Sequence, residues 1–334
     1  MNIKDKILKG RFIVSVIYLL VFLVFFLFSF LLKDSNGVGA IITRVIMMVI
    51  TFSVVAWMTY ELLKAFDIHY IVAIILALAT LASLLAHFDN FRTIFDQNPY
   101  ETESVTGSVI TMQMVVSTLK DILKNWRIYL IFLIEVTVVF AFYLVQVKRK
   151  VILSRPNVIA SNMLLIAVSL FLLIIFFNGL LNIFILFPEF ALIIVFVPVI
   201  TDTSAFLGGI LLGRKFIRRK FAPFVSPKKT WEGTLIGFLA GAILVQIIYW
   251  SFNIQGKFFF VTNPDSASVA SFAIYLTVIL PIFSIVGDLY FSYIKRVNQL
   301  KDYSKILGNH GGLLDRFDSI IFVNFFALLA ISFY

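Results

Sequence analysis

Apolar residues run along this chain in long blocks separated by short polar segments. Blocks of about 17–25 residues are long enough to cross a bilayer as helices. They predict spans near 12–32, 41–63, 68–87, 127–147, 158–178, 180–200, 233–254, 270–291 and 319–334. The pattern predicts an all-α fold, a polytopic integral membrane helix bundle of about nine transmembrane helices. The first block follows Lys4, Lys6, Lys9 and Arg11, like the start of a signal peptide, but it is too long and lacks a small-residue cleavage site. It reads as a retained anchor. Asn178, Gly179 and Asn182 are the only breakers at 178–182, and they predict the turn between two spans. The one long polar insertion, 88–126, mixes Asp89, Asp96, Glu101 and Glu103 with Arg92, Lys120, Lys124 and Arg127. It reads as a solvated external cap with an amphipathic helix near 109–125.

Composition hardens this picture. With 61% hydrophobic and 14% charged residues, the chain has too little charge to cover a soluble surface. It has no Cys and only three His, which excludes a thiolate zinc site and argues against a histidine-ligated metal. Any metal would be held by oxygen. The net charge is +10, and 21 of the 28 Lys+Arg fall on one side if the N-terminus is cytoplasmic. That asymmetry orients the chain by the positive-inside rule and puts the C-terminus outside. Residues 1–126 then form N-terminal helices with an extracytoplasmic loop at 88–126. Residues 127–334 form a C-terminal region whose polar stretches, 201–232 and 287–318, face the cytoplasm.

These two stretches hold the candidate chemistry. In the first, Asp202 is a carboxylate at the membrane edge, costly there unless paired or useful. The basic residues between Arg214 and Lys220 read as anchors to anionic headgroups. The following SPKKTWEG places Ser226, Pro227 and Thr230 as helix-start residues, with Lys228 and Lys229 beside free N–H groups, a setting that suits phosphate. Gly233, Gly237 and Gly241 share one helix face and permit close packing, within the chain or across a dimer. In the second stretch, a helix continuing past the membrane would put Asp288, Ser292 and Lys295 on one face. The chain then passes His310, Gly311 and Gly312 and starts the last helix with Asp315, Arg316 and Asp318. Carboxylates from two helices meeting at a membrane surface suit Mg²⁺, which takes few protein carboxylates and completes its shell with phosphate and water.

The run Ser292-x-x-Lys295-Arg296, Lys301-Asp302, then His310-Gly311-Gly312-x-x-Asp315-Arg316-x-Asp318 closely resembles the signature of the phosphatidate cytidylyltransferases, the CDP-diacylglycerol synthases. SPKKTWEG is similar to that family's second conserved block, so the resemblance covers about 201–334. Two departures lie in the loop: Tyr303-Ser304 where relatives commonly have Ser-Gly, and Gly308-Asn309 where they have Pro-Gly. The resemblance implies transfer of CMP from CTP to phosphatidic acid, giving CDP-diacylglycerol and pyrophosphate. It implies Asp288, Asp315 and Asp318 as Mg²⁺ ligands, and leaves a second or monovalent cation open. Asp288, Asp315, Lys295 and Arg316 would be the catalytic groups. Substrates would be held by Ser226, Lys228, Lys229, Thr230, Glu232, Ser292, Arg296, Lys301, Asp302 and His310, with His310 shaping its loop. The expected partners are CTP, phosphatidic acid and the bilayer, with no nucleic acid and a homodimer left open. The expected location is the cell membrane.

Two rivals stand beside this reading. A related transferase acting on another lipid or polyprenyl phosphate would keep the same site. An anion transporter is suggested by helix number alone. Glu135 and Glu189 are the only acids well inside predicted spans, whereas the charged cluster lies at the membrane edge and not at the midplane where transporters bind.

Overall fold

A computed structural model describes residues 38–80, 117–148, 156–254, 266–308 and 311–333, together with Leu27 and Ser83. The elements, in chain order, are α1 (Val38–Ala65), α2 (Tyr70–Ala79), α3 (Trp126–Lys148), α4 (Pro156–Leu186), α5 (Pro188–Leu211), β1 (Lys220–Ala222), β2 (Ser226–Thr230), α6 (Trp231–Ser251), α7 (Ser266–Val297) and α8 (Leu314–Phe333). Among the described residues, seven helices are long and apolar enough to cross a membrane. The predicted span 12–32 lies outside the described residues apart from Leu27. The predicted span 68–87 is represented by the shorter α2. Residues 117–124 form a helical lead into α3, covering the described part of the amphipathic helix expected near 109–125.

The predicted turn at 178–182 is absent. α4 runs on through Leu186, and only Phe187 separates it from α5. The breaker residues are absorbed: Asn178 Nδ2 donates to the Ile174 carbonyl at 2.9 Å and Asn182 Nδ2 to the Asn178 carbonyl at 2.7 Å. Pro188 starts the next helix instead, at a position whose N–H needs no partner. That shift moves Glu189 from the expected midspan into the first turn of α5, where a carboxylate complements the helix dipole.

Between helices in lipid, burial of apolar surface gives little net drive, so small residues and polar bridges decide the packing. α4 is the enclosed helix of the bundle, with Leu173, Ile174, Ile175, Phe176 and Phe177 all fully buried. It packs against α1, α3, α5 and α8, whereas α3 turns Leu130, Leu133 and Ile134 outward. Tyr290 of α7 hydrogen-bonds Ser169 and the Leu165 carbonyl of α4 at 2.9 and 3.1 Å. Gly233, Gly237 and Gly241 press α6 onto α5 within the chain. A Cβ added at Gly237 would lie 2.5 Å from the Thr201 carbonyl oxygen, and one at Gly233 2.5 Å from that of Ala205. Gly241 also lets Pro281 of α7 approach. The glycine face therefore locks α5, α6 and α7 together, and these helices carry much of the site.

Candidate active site

Five helix ends meet at one end of the bundle: the C-terminal ends of α1, α5 and α7 and the N-terminal ends of α6 and α8. SPKKT supplies the lead-in to α6, but as a strand. β1 and β2 pair antiparallel, Lys220 against Thr230 and Ala222 against Ser226. This corrects the expectation that Ser226 and Pro227 start a helix; only Thr230 does, as the cap whose Oγ1 accepts from the Gly233 N–H at 3.2 Å. Strand alternation sends adjacent side chains to opposite faces. Lys229 turns inward and forms an ion pair with Asp288, while Lys228 is exposed. Glu232 of α6 is buried and accepts the N–H groups of Phe216 and Ile217 at 3.0 and 2.7 Å. Its carboxylate shapes the basic loop that precedes the hairpin.

α7 is 32 residues long, roughly 48 Å at ~1.5 Å per residue, and so overruns a hydrocarbon core of about 30 Å. The overrun carries Asp288, Ser292 and Lys295, as their spacing predicted. Ser292 Oγ donates to Asp288 Oδ1 at 3.4 Å. Arg296 holds the Val225 carbonyl at 3.3 Å and the Leu300 carbonyl at 3.1 Å, tying the hairpin to the end of α7. Beyond Gln299, in the left-handed region at φ 57°, the Leu300 N–H closes the helix on the Lys295 carbonyl at 2.7 Å.

The loop between α7 and α8 is organised by Asp315. Its Oδ1 pairs with Lys295 Nζ at 2.6 Å, and its Oδ2 accepts the N–H groups of Tyr303 at 2.9 Å and Gly312 at 2.8 Å. Gly311 sits at φ 81°, and a Cβ there would lie 2.7 Å from Asp315 Oδ2. A side chain is excluded twice over, by conformation and by space. Lys295 also lies 5.5 Å over the Tyr303 ring, and the Tyr303 hydroxyl donates to the Phe291 carbonyl at 3.0 Å. Burial, followed by the nearby Asp315 and Asp318 carboxylates, pushes the Tyr303 phenol well above its ordinary range, so it stays a neutral donor. Lys301, Asp302 and Arg316 are exposed at the rim, and His310 lies outside the described residues.

Asp318, one turn below Asp315, points elsewhere. It is buried and lies within electrostatic range of Asp202 on α5 and Asp288 on α7, with Lys229 and Lys295 as the opposing charges. Ser319 Oγ bridges to Asp202 Oδ2 at 3.2 Å. Asp202 thus joins the carboxylates that the signature contains. Among the described residues no three metal-ligating side chains enclose an ion by themselves. The donor set still fits Mg²⁺, which needs one or two carboxylates and takes the rest of its shell from phosphate and water. Asp288 and Asp315 each hold a lysine, Lys229 and Lys295.

One member of this end of the bundle had no counterpart in the sequence reading. Glu61, near the C-terminal end of α1 and 1% exposed, accepts from Ser304 Oγ at 2.6 Å and from the backbone N–H groups of Leu313 and Leu314 at 3.1 and 2.8 Å. Its signal in the sequence was an acid closing an apolar run with Trp57 four residues before it on the same helix face; Trp57 Nε1 donates to it at 2.8 Å.

Residues 16–334 match the model of the cytidylyltransferase family, a longer stretch than the 201–334 on which the motif resemblance rests. A putative phosphatidate cytidylyltransferase of Mycoplasma pneumoniae is 33% identical, over 40% of this chain and 41% of that protein. The phosphatidate cytidylyltransferase of Helicobacter pylori is 38% identical over 38% of this chain and 41% of its own length. That of Rickettsia typhi is 40% identical over 36% and 48%. The chain therefore spans between two fifths and half of the length of these relatives.

Proposed function

The chain belongs to the cytidylyltransferase family, and on that premise we propose that it transfers CMP from CTP to phosphatidic acid, releasing pyrophosphate and forming CDP-diacylglycerol. The names of the similar bacterial proteins support the substrate pair. The observation that carries the reading is the meeting of Asp202, Asp288, Asp315 and Asp318 with Lys229 and Lys295 at one end of a membrane bundle. A lipid phosphate at the headgroup plane and a nucleotide from the water can both reach helix ends there.

In this reading an anionic phosphatidate oxygen attacks the α-phosphorus of CTP. The bond from that phosphorus to the bridging oxygen of the β-phosphate breaks, and pyrophosphate carries the electron pair away. The attacking oxygen is already ionised, so no strong base is required, and positioning with charge neutralisation supplies the rate. Asp288 and Asp318, which share their surroundings with Asp202, would hold Mg²⁺, and Asp315 would position Lys295 beside them. A cation held there would supply charge neutralisation for the triphosphate. Lys229 and Lys295 would turn from carboxylate to phosphate, with Arg316 and Lys301 at the rim. Arg296 and Glu232 fix the hairpin and basic loop that border the site. The site faces the cytoplasm of a cell-membrane protein, in line with the charge asymmetry of the loops. The glycine stripe of α6 is spent on α5, so we assign it no part in a homodimer.

Mass analysis of lipid products tests the substrate pair. Protein in phospholipid nanodiscs should convert phosphatidic acid to CDP-diacylglycerol with CTP and form no analogue with ATP. A polyprenyl phosphate converted in preference to phosphatidic acid would replace this assignment with the related transferase.

A further inference from the structure

Burying a carboxylate at a membrane edge is costly unless donors surround it, and Glu61 is fully surrounded. Its Oε1 accepts from Trp57, Ser304 and the Leu313 N–H, and its Oε2 from the Leu314 N–H. The last two are among the first amides of α8, groups that a helix cannot satisfy internally. A local Ser, Thr, Asn or Asp usually caps them; here the preceding residues are Gly311, Gly312 and Leu313, which offer no capping side chain. The cap comes instead from a different helix, some 250 residues earlier in the chain.

Space tells the same story. A Cβ at Gly312 would lie 2.5 and 2.6 Å from the two Glu61 oxygens, so Gly312 leaves room for this carboxylate. The Gly312 N–H points the other way, to Asp315 Oδ2. Two carboxylates thus grip one turn from opposite sides: Asp315 from α8 and Glu61 from α1. In that arrangement Asp315 meets Lys295 at 2.6 Å, and Asp318 follows one turn on in the same helix. Ser304 closes the loop onto the same acid.

We propose that Glu61 is a positioning residue of the transferase site: α1, through this carboxylate, fixes Ser304 and the turn at 311–314 and with them the orientation of Asp315, Asp318 and Lys295. This makes α1 part of the catalytic unit. The proposal rests on the transferase reading above, and its test separates the two.

Full-length wild type, Glu61→Gln and Ser304→Ala in nanodiscs would be compared by amide hydrogen exchange and by steady-state kinetics with CTP and phosphatidic acid. Glu61→Gln keeps the shape but replaces one acceptor oxygen with a donor. It should speed exchange of the amides of residues 303–308 and 311–314 about tenfold or more while α6 and α7 keep wild-type protection. Its kcat should fall about 10- to 100-fold, the range expected when reacting groups are misplaced by about 1 Å, with KM for CTP within about threefold. Ser304→Ala, which removes the bond to Glu61 and the one from the Ile306 N–H but leaves the cap, should shift both readouts in the same direction by less. Unchanged exchange of those amides in Glu61→Gln would overturn the proposal. So would equal loss of protection in all helices, or a loosened turn with wild-type kcat. A wild-type protein that forms no product would count against the transferase reading instead, and exchange would still decide whether Glu61 holds the turn.

Discussion

Two adjacent lysines in SPKKT have unequal surroundings, because a strand and not a helix carries them. Lys229 is paired with Asp288 and Lys228 is exposed. Replacing Lys229 with Met should lower kcat/KM about 100-fold or more, the scale of losing one preorganised charge at a phosphoryl centre. Lys228→Met should cost less than about fivefold, as expected for an exposed charge. Comparison of the two purified variants at saturating phosphatidic acid checks this, and equal losses would contradict the assignment. At this scale the sequence was partly legible. The identities of Asp288, Asp315, Lys295 and Lys229 came from the motif, because spacing along a helix brings Asp288, Ser292 and Lys295 to one face. Their partners did not, since the Lys229–Asp288 and Lys295–Asp315 pairs join separate elements. Asp202 could be weighed only as an acid at a membrane edge, because Ser319, Asp288 and Asp318 come to it from α7 and α8.

Among the elements, α6 has the most demanding position, with its glycine face seated on the backbone of α5. Gly237→Ala would put a Cβ 2.5 Å from the carbonyl oxygen of Thr201, the residue that precedes Asp202. Backbone cannot swing aside as a side chain can, so α5 and α6 must separate. The expected cost is about 1–3 kcal/mol, seen as a lower thermal midpoint in detergent together with reduced turnover. A variant with unchanged midpoint and turnover would show that this contact does not set the geometry. The spacing of Gly233, Gly237 and Gly241 announced a packing face, but not whether its partner lay in the same chain. The break between α4 and α5 was misplaced for a related reason. Asn and Gly read as breakers in isolation, yet Asn178 and Asn182 bond to carbonyls of their own helix and Gly179 faces α8. Pro188 was the stronger signal, because a missing N–H costs nothing only at a helix start.

Across the whole molecule, long apolar blocks and basic loops carried the fold class, since crossing a bilayer constrains length and composition more tightly than folding in water does. The contribution of α1 to the site was hidden, because Glu61 and Gly312 lie far apart in sequence. Topology can be tested on a chain that has no native Cys. Ser251→Cys at the end of α6 and Lys305→Cys in the α7–α8 loop lie at opposite ends of the bundle. In intact cells a membrane-impermeant maleimide should label only Ser251→Cys, and after permeabilisation both. The opposite result would place the carboxylate site outside the cell, away from CTP. The central claim, that these carboxylates and lysines form a cytidylyltransferase site, is met most directly by pyrophosphate release from purified protein given phosphatidic acid, CTP and Mg²⁺. Release should need all three and fall at least about 100-fold in Asp288→Asn without loss of thermal stability. Release that persists in the folded Asp288→Asn protein, or that is absent from the folded wild type, would contradict it.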